Sequence, residues 1–176
     1  MTTGGKQGAV IVGIVMGSDT DFPVMNEAGK TLQKFGIPHE MEVLSAHRTP
    51  ARAHEYSTTA AKRGLKVLIA AAGAAAHLAG VMAANTTLPV IGVPMATSTL
   101  NGLDALLSTV QMPSGIPVAT MAIDKPGAVN AAIFAAQILA LSDPEIARKL
   151  VGHKEALAHA VSEKNARLQK QISEQK

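Results

Sequence analysis

Cysteine and tryptophan are both absent from this 176-residue chain, tyrosine occurs once and phenylalanine three times. The first absence excludes disulfides, thiolate nucleophiles and cysteine-ligated metal. It also fits a reducing compartment, and the cytoplasm is the expected location. The shortage of aromatic rings removes the usual platforms for stacking bases, so nucleic-acid binding is not expected. Charge is nearly balanced, with 16 Lys and Arg against 13 Asp and Glu. No membrane span is expected: the first apolar run, residues 9–16, is too short to cross a bilayer and no signal-cleavage pattern follows it.

What is present is 47% hydrophobic residues, so the core must be built from Ala, Val, Ile, Leu and Met. A chain of this length buries such a core as one domain. Residues 1–8, polar and glycine-rich, read as a disordered leader. Residues 9–16 then read as a strand buried on both faces, as in a parallel sheet. A helix follows, with Pro23 in its first turn, apolar Met25, Ala28, Leu32 and Phe35 at helical spacing, and Gly36 as its stop.

The same grammar recurs. Strands are expected at 39–45, 66–72, 89–93 and 116–123, and helices from Thr49-Pro50 to Gly64, over 77–85 and 102–110, and from Gly127 to about Leu141. Alternation with short connections predicts an α/β fold, one parallel sheet with helices on both faces. Ser142-Asp143-Pro144-Glu145 reads as a capping box for a long C-terminal helix. The chain thus divides into 9–141, an α/β domain, and 142–176, a helical extension. In that extension Ile146, Leu157 and Leu168, and likewise Leu150, Val161 and Ile172, recur every 11 residues. An 11-residue repeat keeps an apolar stripe nearly straight along a helix. The stripe either lies on its own domain or meets a neighbouring subunit.

Ligands of open α/β sheets bind outside the carboxyl ends of the strands. The first such loop, Gly17-Ser18-Asp19-Thr20-Asp21, offers hydroxyls and backbone N–H groups at a helix start, which suits an anion. Ser18 and Thr20 are the natural phosphate partners, and Asp19 and Asp21 would rather accept from sugar hydroxyls. Any of these residues would equally serve as a helix cap. The second loop, Ser45-Ala46-His47-Arg48-Thr49-Pro50, sets an imidazole beside a guanidinium. Arg48 can grip phosphate oxygens with two N–H donors, and His47 has the one side chain whose ordinary pKa lies near neutrality. The third runs through Ala72, Gly73, Ala74, His77 and Leu78, where tiny side chains let a planar ligand come close. Three successive strand ends carrying such loops point to one phosphorylated small molecule, with His47 as acid–base group. The six histidines lack metal-ligand spacing, and no nucleotide-binding or nucleophile-elbow motif occurs.

Met16-Gly-Ser-Asp-Thr-Asp21, Ser45-Ala-His-Arg-Thr-Pro50, Ala75-Ala-His-Leu78, Pro89-Val-Ile-Gly-Val-Pro94 and Ser108-Thr-Val-Gln-Met-Pro113 together resemble the 5-(carboxyamino)imidazole ribonucleotide mutase family of purine biosynthesis. The resemblance covers roughly residues 9–141 in order. It implies a three-layer flavodoxin-like fold, a homo-octamer, and an isomerase that moves a carboxyl group from an exocyclic nitrogen to ring carbon four of an aminoimidazole ribonucleotide. It implies no metal or other cofactor. On the matching positions it implies His47 as the catalytic residue and Ser18, Asp21 and Arg48 as substrate-binding residues; the strand-end reading adds Gly17, Asp19, Thr20, Ser45, Ala72, Gly73, Ala74, His77 and Leu78 around them. The chain departs from the usual loop at Ala71 and Ala74, where glycines are usual, and at Ala79, Val81 and Phe22. Alanine resists positive φ, so a glycine position that needs it would force a local change.

Three other readings compete. A direct aminoimidazole ribonucleotide carboxylase would usually carry lysine in place of Arg48 and lack His77-Leu78. A flavin carrier on the same fold would need stacking rings. A receiver-type signalling domain would need an aspartate at the end of the third strand, where Ala70, Ala71 and Ala72 stand.

Overall fold

The computed structural model describes residues 9–175; the leader expected at 1–8 lies outside them. They divide into two compact units, one ending at Ala136 and the other starting at Gln137.

In the first unit five strands form one sheet: β1 Val12–Met16, β2 His39–Val43, β3 Val67–Gly73, β4 Val90–Met95 and β5 Ala119–Thr120. Their order is β2-β1-β3-β4-β5 and every pairing is parallel. The helices between them are α1 Phe22–Phe35, α2 Pro50–Ala60, α3 Leu78–Asn85 and α4 Leu103–Val110; α5 Asp124–Ala140 follows β5. Right-handed crossovers put α1 on one face of the sheet and α2, α3 and α4 on the other. Packing of α2 on α3 agrees with this, as does the Lys125–Glu27 ion pair of 3.3 Å that ties the start of α5 to α1. This is the expected three-layer flavodoxin-like arrangement. The chain leaves β1 first for β2 on one side and later runs to β3 on the other, so the strand order reverses between β1 and β3, and a ligand crevice opens there.

The apolar patterns explain which strands are central. All five residues of β1 are buried, and β3 is buried from Val67 to Ala71, so both read as continuous apolar runs. Edge strand β2 is only half-buried and carries Glu40 and Glu42. Against them pack Met25, Ala28 and Leu32 of α1 and Ala53 and Ala60 of α2, all fully buried. Burial contributes about 1.5–3 kcal/mol for each larger aliphatic side chain. Helix α1 ends where Gly36 turns to φ 73°, and its N–H caps the Gln33 and Leu32 carbonyls. Among the described residues no buried side-chain polar atom lacks a hydrogen-bond partner.

Three boundaries differ from expectation. The strand predicted over 116–123 shrinks to two residues, because Pro117 has no N–H and only Ile91–Ala119 and Gly92–Thr120 pair with β4. Helix α5 starts at Asp124, before Gly127. The long helix α6, Pro144–Glu174, is capped by Asp143 rather than Ser142: the Asp143 carboxylate accepts from the N–H groups of Glu145 and Ile146 at 2.9 and 3.2 Å. Ser142 instead donates to Leu139 O at 3.4 Å. In the second unit α6 spans 31 residues, and its Val151, Leu157, Val161, Leu168 and Ile172 are exposed. No helix among the described residues is long and apolar enough to cross a membrane.

Candidate active site

At the end of β1 the parallel ladder closes where Gly17 N–H donates to Ala71 O of β3 at 3.0 Å. Ser18 then takes an extended conformation and caps the single 3-10 turn Asp19–Asp21 that leads into α1. Its Oγ accepts from Thr20 Oγ1 at 2.8 Å and Thr20 N at 3.3 Å, and donates to Asp19 at 3.2 Å. Capping and ligand presentation coexist here, since the capped turn holds two hydroxyls at a helix N-terminus. Asp21 is only 3% exposed. Burial pushes its carboxyl above the ordinary carboxylate value, a hydrogen bond from the Ser18 backbone pulls the other way, and the charges of Asp124 and Asp19 add to the rise.

The loop after β2 is wound on itself. Thr49 Oγ1 accepts from Ser45 N at 3.0 Å and donates to Ser45 O at 3.1 Å, and Arg48 N–H donates to Ser45 Oγ at 3.1 Å. Pro50 then opens α2 with φ already set for a helix. The guanidinium of Arg48 bridges the two loops: Nε donates to Ser45 Oγ at 3.4 Å and Nη2 to Gly17 O at 2.9 Å. That anchoring fixes its planar fork beside the Ser18 turn, the geometry a phosphate accepts.

The loop after β3 delivers the second imidazole. His77 N–H donates to Ala75 O at 2.9 Å, a tight turn, and Val81 N–H donates to His77 O at 2.9 Å as α3 begins. The His77 side chain does not cap the helix. It reaches over β1 to His47, with His77 Nδ1 2.7 Å from His47 Nε2, the rings edge to face, centroids 4.8 Å apart and planes at 80°. A contact that short between two ring nitrogens needs one proton between them, so one imidazole donates and the other accepts.

These loops enclose one cavity of about 300 Å³. Gly17, Ser18, Thr20, Asp21, Ser45, His47, Arg48, Ala72, Gly73, His77 and Leu78 line it, so three strand ends separated in sequence are brought together. Two expected positions do not line it. Asp19 is exposed and holds Ser18. Ala74 is exposed, with φ 53°. Of the two alanines standing where glycine is usual, Ala71 sits in β3 with no need of positive φ, whereas Ala74 does adopt it. The loop therefore keeps a left-handed residue despite its Cβ.

The cavity also includes Ala46, Ala75 and Thr97, which the sequence reading left out. Thr97 belongs to a fourth strand end. β4 was expected to stop at 93 but runs to Met95, and the strand-end rule applied there would have found it. Chemically the cavity offers an anion grip at Ser18, Thr20 and Arg48, a proton-sharing histidine pair, and a narrow wall of small side chains.

Comparison with known proteins bears on the family and the fold. The family model for AIR carboxylase matches residues 11–160. The N5-carboxyaminoimidazole ribonucleotide mutase of Pyrococcus horikoshii is 56% identical over 159 residues, 90% of this chain and 89% of the relative. The mutase of the same name from Thermotoga maritima is 57% identical over 158 residues, 90% of this chain and 91% of that one. A crystal structure of Treponema denticola PurE superposes with TM-score 0.78 at 30% identity, covering 90% of this chain and 98% of that one.

Proposed function

The chain belongs to the AIR carboxylase family, and from that membership we infer that it is an isomerase of purine biosynthesis, moving the carboxyl group of N5-carboxyaminoimidazole ribonucleotide from the exocyclic nitrogen to ring carbon four. The observation that carries this reading is the meeting of Ser18, Arg48 and His47 in one cavity with His77 against His47.

The substrate phosphate takes the Ser18–Thr20 turn and the Arg48 fork, where helix N–H groups and a fixed cation favour an anion. Asp21, which lines the same cavity, accepts from the ribose hydroxyls. The imidazole then lies along Ala72 and Gly73, where the absence of larger side chains leaves room for a flat ring. Asp19 acts by holding Ser18, and Ala74 by shaping the loop backbone.

The proton count assigns His47. Loss of CO2 breaks the N–C bond of the carbamate, and the nitrogen takes up one proton. Attack of carbon four on that CO2 forms the new C–C bond and leaves carbon four carrying a hydrogen that must depart to restore the aromatic ring. One proton enters and one leaves, with no change of oxidation state, so a single group that gives and then takes a proton completes the cycle. Histidine suits this because its two forms are close in free energy near neutral pH. His77 holds the His47 ring in one orientation and supplies the partner for its second nitrogen. The Ala72 to His77 loop is the wall against which the transient CO2 is held.

We further propose that the reaction runs in the cytoplasm and in a homo-octamer. Exposed Leu103, Leu107 and Val110 along α4 and the exposed stripe of α6 support contacts between copies. The test of the functional reading is substrate choice: purified protein is given the carbamate ribonucleotide, or the bare aminoimidazole ribonucleotide with bicarbonate, and carboxylation at carbon four is followed by ultraviolet absorbance. Fast turnover of the carbamate alone is expected; preference for the bare ribonucleotide with CO2 would make the chain a direct carboxylase.

A further inference from the structure

We propose that Thr97 is a substrate-contacting residue that holds the polar edge of the imidazole, its exocyclic nitrogen or carboxylate, and that Gly73 lacks a side chain in order to admit it. The inference rests on the functional reading above and adds a residue to it.

Three observations carry it. Thr97 lines the cavity that holds His47, His77 and Arg48. A Cβ on Gly73 would overlap Thr97 Oγ1 and stand 3.0 Å from its Cβ, so the hydroxyl lies against the bare backbone of the β3 loop. Thr97 Oγ1 makes no hydrogen bond to any described residue, whereas Ser18, Thr20 and Ser45 in the same cavity are each committed to a protein partner. Thr97 is exposed at the cavity, and its donor and acceptor, unused by the protein, are open to a ligand that displaces solvent there.

Strand order says which part of the ligand it meets. The cation and the capped turn stand at the ends of β2 and β1, whereas Thr97 follows β4, beyond β3. Strands lie about 4.8 Å apart, so roughly 10 Å separates the ends of β1 and β4. A ribonucleotide anchored by its phosphate at β1 and β2 extends its base toward β3 and β4. There a hydroxyl, able to donate to a carboxylate and accept from an N–H, matches a group that changes from carbamate to amine during the reaction.

The experiment compares wild type, Thr97→Val, Thr97→Ser and Gly73→Ala in turnover of the carbamate ribonucleotide, and in competitive inhibition by ribose 5-phosphate, which has no base. Thr97→Val should lose about tenfold in kcat/KM, the usual effect of one hydrogen bond to a polar or charged ligand group, and Thr97→Ser should restore most of it. Gly73→Ala should show a loss of the same kind, and combining it with Thr97→Val should add little. Inhibition by ribose 5-phosphate should not change in Thr97→Val. If Thr97→Val retains kcat/KM within twofold while wild type is active, the contact does not exist. If inhibition by ribose 5-phosphate weakens equally, Thr97 serves the phosphate and the assignment to the base edge is wrong. An inactive wild type overturns the functional reading and this inference with it.

Discussion

Ala74→Gly should stabilise the protein although it removes a methyl group. Ala74 has φ 53°, where an L-residue with a Cβ is strained. Its side chain is exposed and lies outside the cavity, so truncation removes no packing. Relief of the left-handed conformation returns about 1–2 kcal/mol, and the greater freedom of glycine in the unfolded chain takes back about 0.4–1 kcal/mol. The net gain is about 0.5–1 kcal/mol, or an increase of about 2 °C in Tm for a chain of this size. Ala71→Gly is the matched control, because Ala71 is fully buried in β3 and needs no positive φ. There the same substitution loses about 0.5–1 kcal/mol of backbone entropy and about 0.8 kcal/mol of methyl burial. Thermal melts followed by circular dichroism, at one protein concentration so that assembly contributes equally, should move in opposite directions for the two variants. A lower Tm for Ala74→Gly would refute the strain argument.

Asp21→Asn should raise stability at pH 7 and weaken substrate binding. Burial raises the Asp21 carboxyl pKa above its unfolded value of 3.8, so folding favours the protonated form and this site's contribution falls as pH rises through and above that value. The gain from Asn, read as ΔTm, should therefore be larger at pH 7 than at pH 4, and KM should rise at pH 7. Arg48→Lys keeps the charge but loses the planar fork that donates to Gly17 O and Ser45 Oγ; KM should rise about tenfold or more, checked by initial rates. Asp143→Ala removes the cap of α6 and should cost about 1 kcal/mol of helix stability, seen as lost helicity or an earlier unfolding transition by circular dichroism.

Much of this architecture was legible because buried parallel strands and their helices leave strong patterns. The run before Gly17 and the run ending at Ala72 name β1 and β3, and Pro23 and Pro50 mark the helices that follow β1 and β2. β5 was overestimated because residues 116–123 are apolar while Pro117 and the sheet edge limit pairing, which composition does not reveal. β4 runs past its expected end at 93, through Pro94 to Met95. Gly92 O accepts from Met121 N at 2.9 Å, so Pro94, two residues on, also faces β5, which has already ended at Thr120. The missing N–H therefore loses no partner, the strand continues to Met95, and Thr97 becomes a strand-end residue. The 2.7 Å meeting of His47 and His77 was beyond reach for a different reason: each histidine was visible at its own strand end, but only the sheet order brings the loops of β2 and β3 together across β1.

The most direct test of the account is the rate of carbon-four carboxylation at saturating carbamate ribonucleotide in wild type and in His47→Asn, whose side chain can hydrogen-bond but cannot carry the proton. The account predicts a fall of about 10²–10⁴ in kcat, the usual contribution of a positioned acid–base group, with substrate still bound through Ser18 and Arg48. A His47→Asn enzyme that keeps kcat within tenfold of wild type would contradict the assignment of the proton to His47.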